Sequence, residues 1–268
     1  KAHHTAQAAG AEMERRLNDA FENGEFILHY QPQMDVETQV IVGVEALIRW
    51  NDPEKGIISP SKFIPIAEET GLIIPLSKWV LREACLQNKK WQKMGFKPMR
   101  VGVNVSTQFL YAENLIGFIK KILTEVDLKP EYLEIEITES TIMTNDRKGI
   151  TILKKLKDMG MGISIDDFGT GYSSLNYLKE LPVTTLKIDQ SFISSDMSKN
   201  RQIGNIVKTV IKLGHSLGLN VIAEGVETKK QLDYLKENYC NEIQGFLYSK
   251  PVEAQEITKM LRSFSSLK

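Results

Sequence analysis

Cysteine is scarce in this 268-residue chain, with only Cys85 and Cys240. Two thiols cannot build a disulfide framework, so a reducing, cytosolic setting is expected. Net charge is lacking as well. Lys plus Arg and Asp plus Glu each total 34, for a formal charge of +0. The chain therefore has no overall pull towards a DNA or RNA polymer or an anionic membrane. No apolar run approaches the ~18 residues of a membrane span, and no signal peptide opens the chain. A cytoplasmic domain is expected, free or carried by a membrane-anchored protein.

Several catalytic signatures are missing too. There is no dinucleotide fingerprint G-x-G-x-x-G, no phosphate loop G-x-x-x-x-G-K-[ST], no G-x-S-x-G and no H-E-x-x-H. Asp167-Phe168-Gly169 echoes the kinase metal motif, but the Gly-rich and H-R-D loops that would accompany it are absent. His29 and His215 have no companion ligands, and His3-His4 is read as no metal site.

What remains is a chain with 42% hydrophobic and 25% charged residues, suited to one large globular domain. Residues 1–16 are read as a linker or remnant and 17–268 as the domain. A short helix is expected over Ala11–Phe21. Strands Glu25–Gln33 and Val40–Trp50, broken by the turn residues Asp35–Gln39, form an antiparallel hairpin. The chain then alternates. Helices are expected at Ser61–Thr70 and Pro75–Met94. Strands Arg100–Val105, Tyr132–Thr138, Gly162–Ile165, Thr185–Ile188, Asn220–Ala223 and Glu242–Phe246 are each followed by a helix. Ser61, Asp146 and Thr228 are candidate N-caps, and Gly71, Gly160 and Gly218 candidate helix stops. Repeated strand–helix units imply parallel strands with right-handed crossovers. About eight apolar strands suit a (βα)8 TIM-type barrel, with a doubly wound open sheet as the alternative.

The functional groups of such a barrel lie at the C-terminal strand ends. Reading those ends gives Glu45, Asn104, Glu136, Asp166, Asp167, Lys187, Glu224 and Gln244. Taken singly, each has an ordinary reading: a solvated acid, a turn asparagine, a snorkelling lysine. Together they do not, because five carboxylates abutting apolar strands repel one another unless cations sit between them. Adjacent Asp166 and Asp167 press this hardest. Oxygen donors without thiol or imidazole favour Mg²⁺ or Mn²⁺ over zinc or copper.

These residues and their spacing resemble the EAL domain, a bacterial family of cyclic di-GMP phosphodiesterases. The tripeptide stands as Glu45-Ala46-Leu47, and the resemblance runs from about Leu17 to Glu253. It takes in Tyr30-Gln31-Pro32, Val103-Asn104-Val105-Ser106, Glu136-Ile137-Thr138-Glu139, Asp166-Asp167-Phe168-Gly169, Lys187-Ile188-Asp189, Glu224-Gly225-Val226-Glu227 and Gln244-Gly245-Phe246. The resemblance implies a barrel whose first strand is antiparallel, and hydrolysis of cyclic di-GMP to linear pGpG in second-messenger signalling of the kind that governs biofilms. It implies two metal ions, Mg²⁺ or Mn²⁺, with Ca²⁺ inhibitory. Glu45, Asn104, Glu136 and Asp166 would hold the first. Asp166, Asp167 and Glu224 would hold the second. Lys187 would contact the attacking water, and Glu224 has also been cast as a base. Gln31, Leu47, Arg49 and Gln244 would contact substrate. Glu139 and Glu227 would stabilise the loop after Asp167, Phe168–Leu181, beside which the family pairs into homodimers. An upstream sensory or GGDEF domain is expected. Two other readings stay open: a receptor that binds cyclic di-GMP without cutting it, and an enolase-type Mg²⁺ barrel with Lys187 as base.

Overall fold

The computed structural model describes residues 2–142, 147–170, 175–193 and 201–265. Among them nine strands form one sheet: β1 (Phe26–Asp35), β2 (Ile41–Asp52), β3 (Gly56–Ile58), β4 (Arg100–Asn104), β5 (Leu133–Thr138), β6 (Gly162–Phe168), β7 (Thr185–Ile188), β8 (Asn220–Ala223) and β9 (Glu242–Gln244). Their order is β1-β9-β8-β7-β6-β5-β4-β2-β3, and β1 also pairs with β2. That last pairing closes eight strands into a barrel and leaves β3 outside it. β1 runs antiparallel to both neighbours, β2 and β9. From β2 through β4 to β9 every barrel pairing is parallel. The closed barrel with an antiparallel first strand is thus present, and the open sheet is not.

Helices cover the outside, so the parallel strands are buried on their outer face by Val, Ile and Leu. The helix ends show the expected chemistry in part. Thr228 makes a capping box with Gln231, and Gly71 ends Pro60–Thr70 with φ 78°. Ser61 is not a cap: the helix begins at Pro60, whose fixed φ suits the first turn, and Ser59 stands before it. Asp146 lies outside the described residues. The first helix runs Ala2–Glu22 rather than from Ala11. Alanine-rich sequence favours helix without showing apolar periodicity, so the missing pattern there did not mean a missing helix. Its last turns seat Leu17 and Ala20 in a second apolar cluster around Phe26, Trp50 and Phe63. β3 and the four-residue helices Thr107–Leu110, Glu139–Ile142 and Gln190–Ile193 are too short for periodicity to reveal.

The barrel interior is unusual in its filling. Such interiors are generally packed with branched apolar side chains. Here Gln33, Glu45, Glu134, Glu136, Lys187, Glu242 and Gln244 are all buried. Long polar side chains need empty neighbours, and glycine supplies them. A Cβ on Gly102 would collide with the Glu136 carboxylate, and one on Gly43 would lie 2.6 Å from Gln33 Oε1.

Candidate functional site

Strand alternation aims one side chain in two into the barrel. At the C-terminal mouth this gathers Glu45 from β2, Glu136 from β5, Asp166 from β6 and Lys187 from β7. Glu224 joins them from the end of β8. Lys187, read as a snorkelling lysine if taken alone, is wholly buried. Its Nζ lies 2.7 Å from Glu136 Oε2, 2.8 Å from Glu224 Oε1, 3.1 Å from Asp166 Oδ1 and 3.3 Å from Glu45 Oε2. Glu45 is fixed from two further sides: Gln244 Nε2 donates to Oε2 at 2.6 Å and Asn104 Nδ2 to Oε1 at 2.6 Å.

Asp167 joins the cluster through a backbone device. Consecutive strand residues face opposite sides, so a regular β6 would turn Asp167 away from Asp166. Instead Asp167 takes a left-handed φ of 54°, and the β6–β7 register shifts between Ile165 and Phe168. Asp tolerates that conformation better than most residues. The Asp167 amide donates to Asp166 Oδ1 at 3.0 Å.

The carboxyl groups feel the crowding. Burial pushes Glu224 up to about 8, with Asp166 and Glu45 adding repulsion and Lys187 opposing. Burial likewise raises Asp167 to about 6, helped by Asp166 and Asp189. Glu136 is raised well above the carboxylate range by burial and by Glu45 and Asp166. Glu45 is the exception. Burial would raise it, but Lys187, Gln244 and Asn104 outweigh burial and lower it. Lys187 is held charged: burial works against the ammonium, and Asp166, Glu136, Glu224 and Glu45 overcome it.

Two groups of three carboxylates bring oxygens within 4.8 Å of one another: Glu45, Glu136 and Asp166; and Asp166, Asp167 and Glu224. They share Asp166. One ammonium faces five carboxylates, and Glu136 Oε1 is buried without a hydrogen-bond partner. A hard divalent cation fits this donor set.

The remaining expected residues surround the cluster. Gln31 is buried beside it and donates to Ser249 O at 3.1 Å. Leu47 and Arg49 follow Glu45 on the same face of β2, beyond the barrel rim. Arg49 is half-buried, and its Nη1 donates to Ile48 O at 2.8 Å. Glu139 is buried and its Oε2 accepts from the Gly169 amide at 2.9 Å, which ties β5 to the chain leaving β6. Glu227 is exposed on the wall of the cleft. Residues 171–174 of the loop lie outside the described residues. The cleft over the acids holds about 250 Å³, and a mainly apolar pocket of about 280 Å³ lies on the other side of Leu47, lined by Ile48, Pro60, Ile64 and Val80. Sequence reasoning assigned no role to two residues that matter here. Asp189 stands close enough to Asp167 to help raise its pKa, and its place two residues after Lys187 is the signal that could have found it. Gln33 touches Gln244 and carries no sequence signal beyond its strand parity with Gln31.

The sequence matches the EAL domain family over residues 14–251. It is 43% identical over 242 residues to the bifunctional diguanylate cyclase/cyclic di-GMP phosphodiesterase MucR of Pseudomonas aeruginosa, covering 90% of this chain and 35% of that protein. It is 38% identical over 242 residues to the cyclic di-GMP phosphodiesterase PdeR of Escherichia coli, covering 90% and 36%. The chain thus spans about a third of the length of these curated relatives. Among solved structures, the PaMucR phosphodiesterase in complex with c-di-GMP superposes with TM-score 0.88 at 41% identity, covering 92% of this chain and 99% of that one. The EAL domain of Mycobacterium smegmatis DcpA gives 0.76 at 35%, covering 89% and 98%.

Proposed function

The chain belongs to the EAL domain family, and from that premise we propose that it hydrolyses cyclic di-GMP to linear pGpG with the help of two divalent cations, Mg²⁺ or Mn²⁺. The observation that carries this reading is the pair of acidic groups sharing Asp166 around Lys187. An enolase-type site needs no such shared ligand, and it is set aside on that ground.

Glu45, Asn104, Glu136 and Asp166 would hold one ion, and Asp166, Asp167 and Glu224 the other. Such ions would supply a water of lowered pKa and positive charge against the charge developing at phosphorus. The protein's own groups do the rest. Lys187 Nζ, pinned by carboxylates on four sides, donates a hydrogen bond that orients the attacking water. The Arg49 guanidinium offers a planar fork to a phosphate. Gln31 and Gln244 line the polar cleft, while Leu47 separates it from the apolar pocket, whose walls suit a purine ring. Glu139 and Glu227 steady the loop after Asp167. Cations held in the site reconcile zero net charge with a dianionic substrate.

The domain proper begins near residue 17, where the first helix starts to bury side chains. The relatives are about three times longer, which supports a sensory or GGDEF domain as neighbour in the whole protein; that two copies pair beside the 168–181 loop is proposed from the family resemblance alone. Among the described residues no helix is long and apolar enough to cross a membrane, and a cytoplasmic site of action fits the substrate.

The test is pGpG formation by chelator-treated protein with Mg²⁺, Mn²⁺ or Ca²⁺ restored. Mg²⁺ or Mn²⁺ should restore turnover and Ca²⁺ should suppress it, because the larger ion prefers longer bonds and more ligands. Tight binding of cyclic di-GMP with no pGpG under any metal would make the domain a receptor instead.

A further inference from the structure

We propose that Gln33, at the closed end of the barrel, is a positioning residue that sets the orientation of Glu45 through Gln244; this rests on the metal-centre reading above. Three hydrogen bonds connect the barrel floor to that carboxylate. Arg100 Nη2 donates to Gln33 Oε1 at 3.1 Å, Gln33 Nε2 donates to Gln244 Oε1 at 3.1 Å, and Gln244 Nε2 donates to Glu45 Oε2 at 2.6 Å.

The two ends dictate the direction of the whole chain of bonds. A guanidinium can only donate, and an ionised carboxylate can only accept. Each amide between them has one donor side and one acceptor side. Only one arrangement satisfies every link. Gln33 must turn its oxygen to Arg100, which leaves its nitrogen for the Gln244 oxygen, which in turn leaves the Gln244 nitrogen for Glu45. Inverting either amide sets donor against donor or acceptor against acceptor where both side chains are buried, leaving polar groups unpaired.

The surroundings hold this arrangement in place. Gln33 has no solvent exposure and Gln244 almost none. Gln33 faces Gln244 directly across the antiparallel β1–β9 pair, and Gln31 faces Glu45 across β1–β2. Gln31 Oε1 accepts the second Gln244 hydrogen at 3.1 Å. At the floor, Arg100 is anchored by an ion pair to Glu134 at 2.8 Å and by another to Glu242. Gly43 keeps the slot beside Gln33 open, since a Cβ there would lie 2.6 Å from Gln33 Oε1. An arginine at the floor thereby decides which way a proposed metal ligand points at the mouth.

Gln33→Glu gives the sharpest test. It keeps the shape and the Arg100 contact but has no proton for Gln244 Oε1. Gln244 must turn, which sets its oxygen against Glu45. Simple electrostatics predicts the opposite outcome, because an added negative charge should draw a cation in. Gln33→Met removes the link while keeping volume. Mn²⁺ affinity of chelator-treated protein would be measured by calorimetry, beside circular dichroism to confirm the fold. We expect Gln33→Glu to bind Mn²⁺ about 10- to 100-fold more weakly than the native protein, as when groups behind metal ligands are lost. Gln33→Met should show a smaller loss. Equal or tighter binding by Gln33→Glu overturns the relay. If that variant does not fold, unchanged affinity in Gln33→Met overturns it and weaker affinity supports it. In the native protein, side-chain amide protons of Gln33 and Gln244 should exchange slowly by NMR; rapid exchange overturns the relay without reference to any metal. Failure of the native protein to bind Mn²⁺ would instead sink the metal-centre reading itself, and the relay with it.

Discussion

The barrel contains two buried polar layers, and they balance charge differently. At the floor, Arg100 meets Glu134 and Glu242, and Asn220 Nδ2 donates to Glu242 Oε1 at 2.8 Å. Burial disfavours the Arg100 charge, but the two carboxylates outweigh it and raise its pKa. One cation serves two acids there, amides fill the remaining positions, and the layer is closed by strands. At the mouth one cation, Lys187, serves four carboxylates directly, with Asp167 beside them. Burial and mutual repulsion push two of these acids up, Glu224 to about 8 and Asp167 to about 6. Burial alone therefore does not mark a functional layer. The marker is charge left unbalanced where the barrel opens.

The comparison breaks first at Asp166. Asp166→Asn should abolish pGpG formation, beyond the about 100-fold that changes behind metal ligands typically cost. Its thermal midpoint without metal should be no lower than that of the native protein, because the change relieves repulsion. A folded variant with near-native turnover would remove Asp166 from the shared position.

The two buried cations should part company when removed. Arg100→Met strands Glu134 and Glu242, and should cost about 3–5 kcal/mol of stability whether or not metal is present. Lys187→Met should cost a similar amount in chelator, and Mn²⁺ should restore much of it. Denaturant unfolding with and without Mn²⁺ measures both; equal metal responses would mean that floor and mouth are the same kind of layer.

Glu139→Ala tests the tie between the mouth and the chain beyond it. Losing the acceptor for the Gly169 amide should speed hydrogen exchange there and lower turnover about 10-fold. Unchanged exchange and rate would make Glu139 a bystander.

The smallest effect is a pH trend. Glu224 and Asp167 have folded values above their ordinary ones, so each contributes stability that is present at low pH and lost as pH rises through about 8 and about 6. The ion-free protein should lose stability across that window. Cations compete with those protons, so the rise in thermal midpoint on adding Mn²⁺ should grow with pH, and turnover should rise with it. A Mn²⁺ effect that does not change with pH would mean the protons sit elsewhere.

Much of this was legible in the residues. Oxygen side chains ending apolar strands at Glu45, Asn104, Glu136, Asp166 and Glu224 announced an acidic cluster at one end of the barrel, of the kind that calls for cations. The alternation of strands and helices announced the barrel, since parallel strands require crossovers. Thr228 and Gly71 announced helix ends because capping is local chemistry. The sequence shows the first helix only from Ala11, and it offers Ser61 as a cap in place of the Ser59-Pro60 start. The first difference arises because alanine propensity makes a helix without periodicity, the second because the fixed φ of Pro60 starts the helix one residue before Ser61.

The sequence by itself determined the donor types, their order around the barrel and the shortage of positive charge to match them, all of which follow from composition and strand periodicity. Only the tertiary structure decided that the Asp167 carboxylate comes beside those of Asp166 and Glu224, through a left-handed backbone and a register shift. It alone decided that Lys187 stands at the centre of four acids, and that Gln33 reaches Gln244 across 211 positions of sequence. Such pairings depend on which strands close the barrel and in what register, and register is set by the packing of the whole sheet rather than by any one strand.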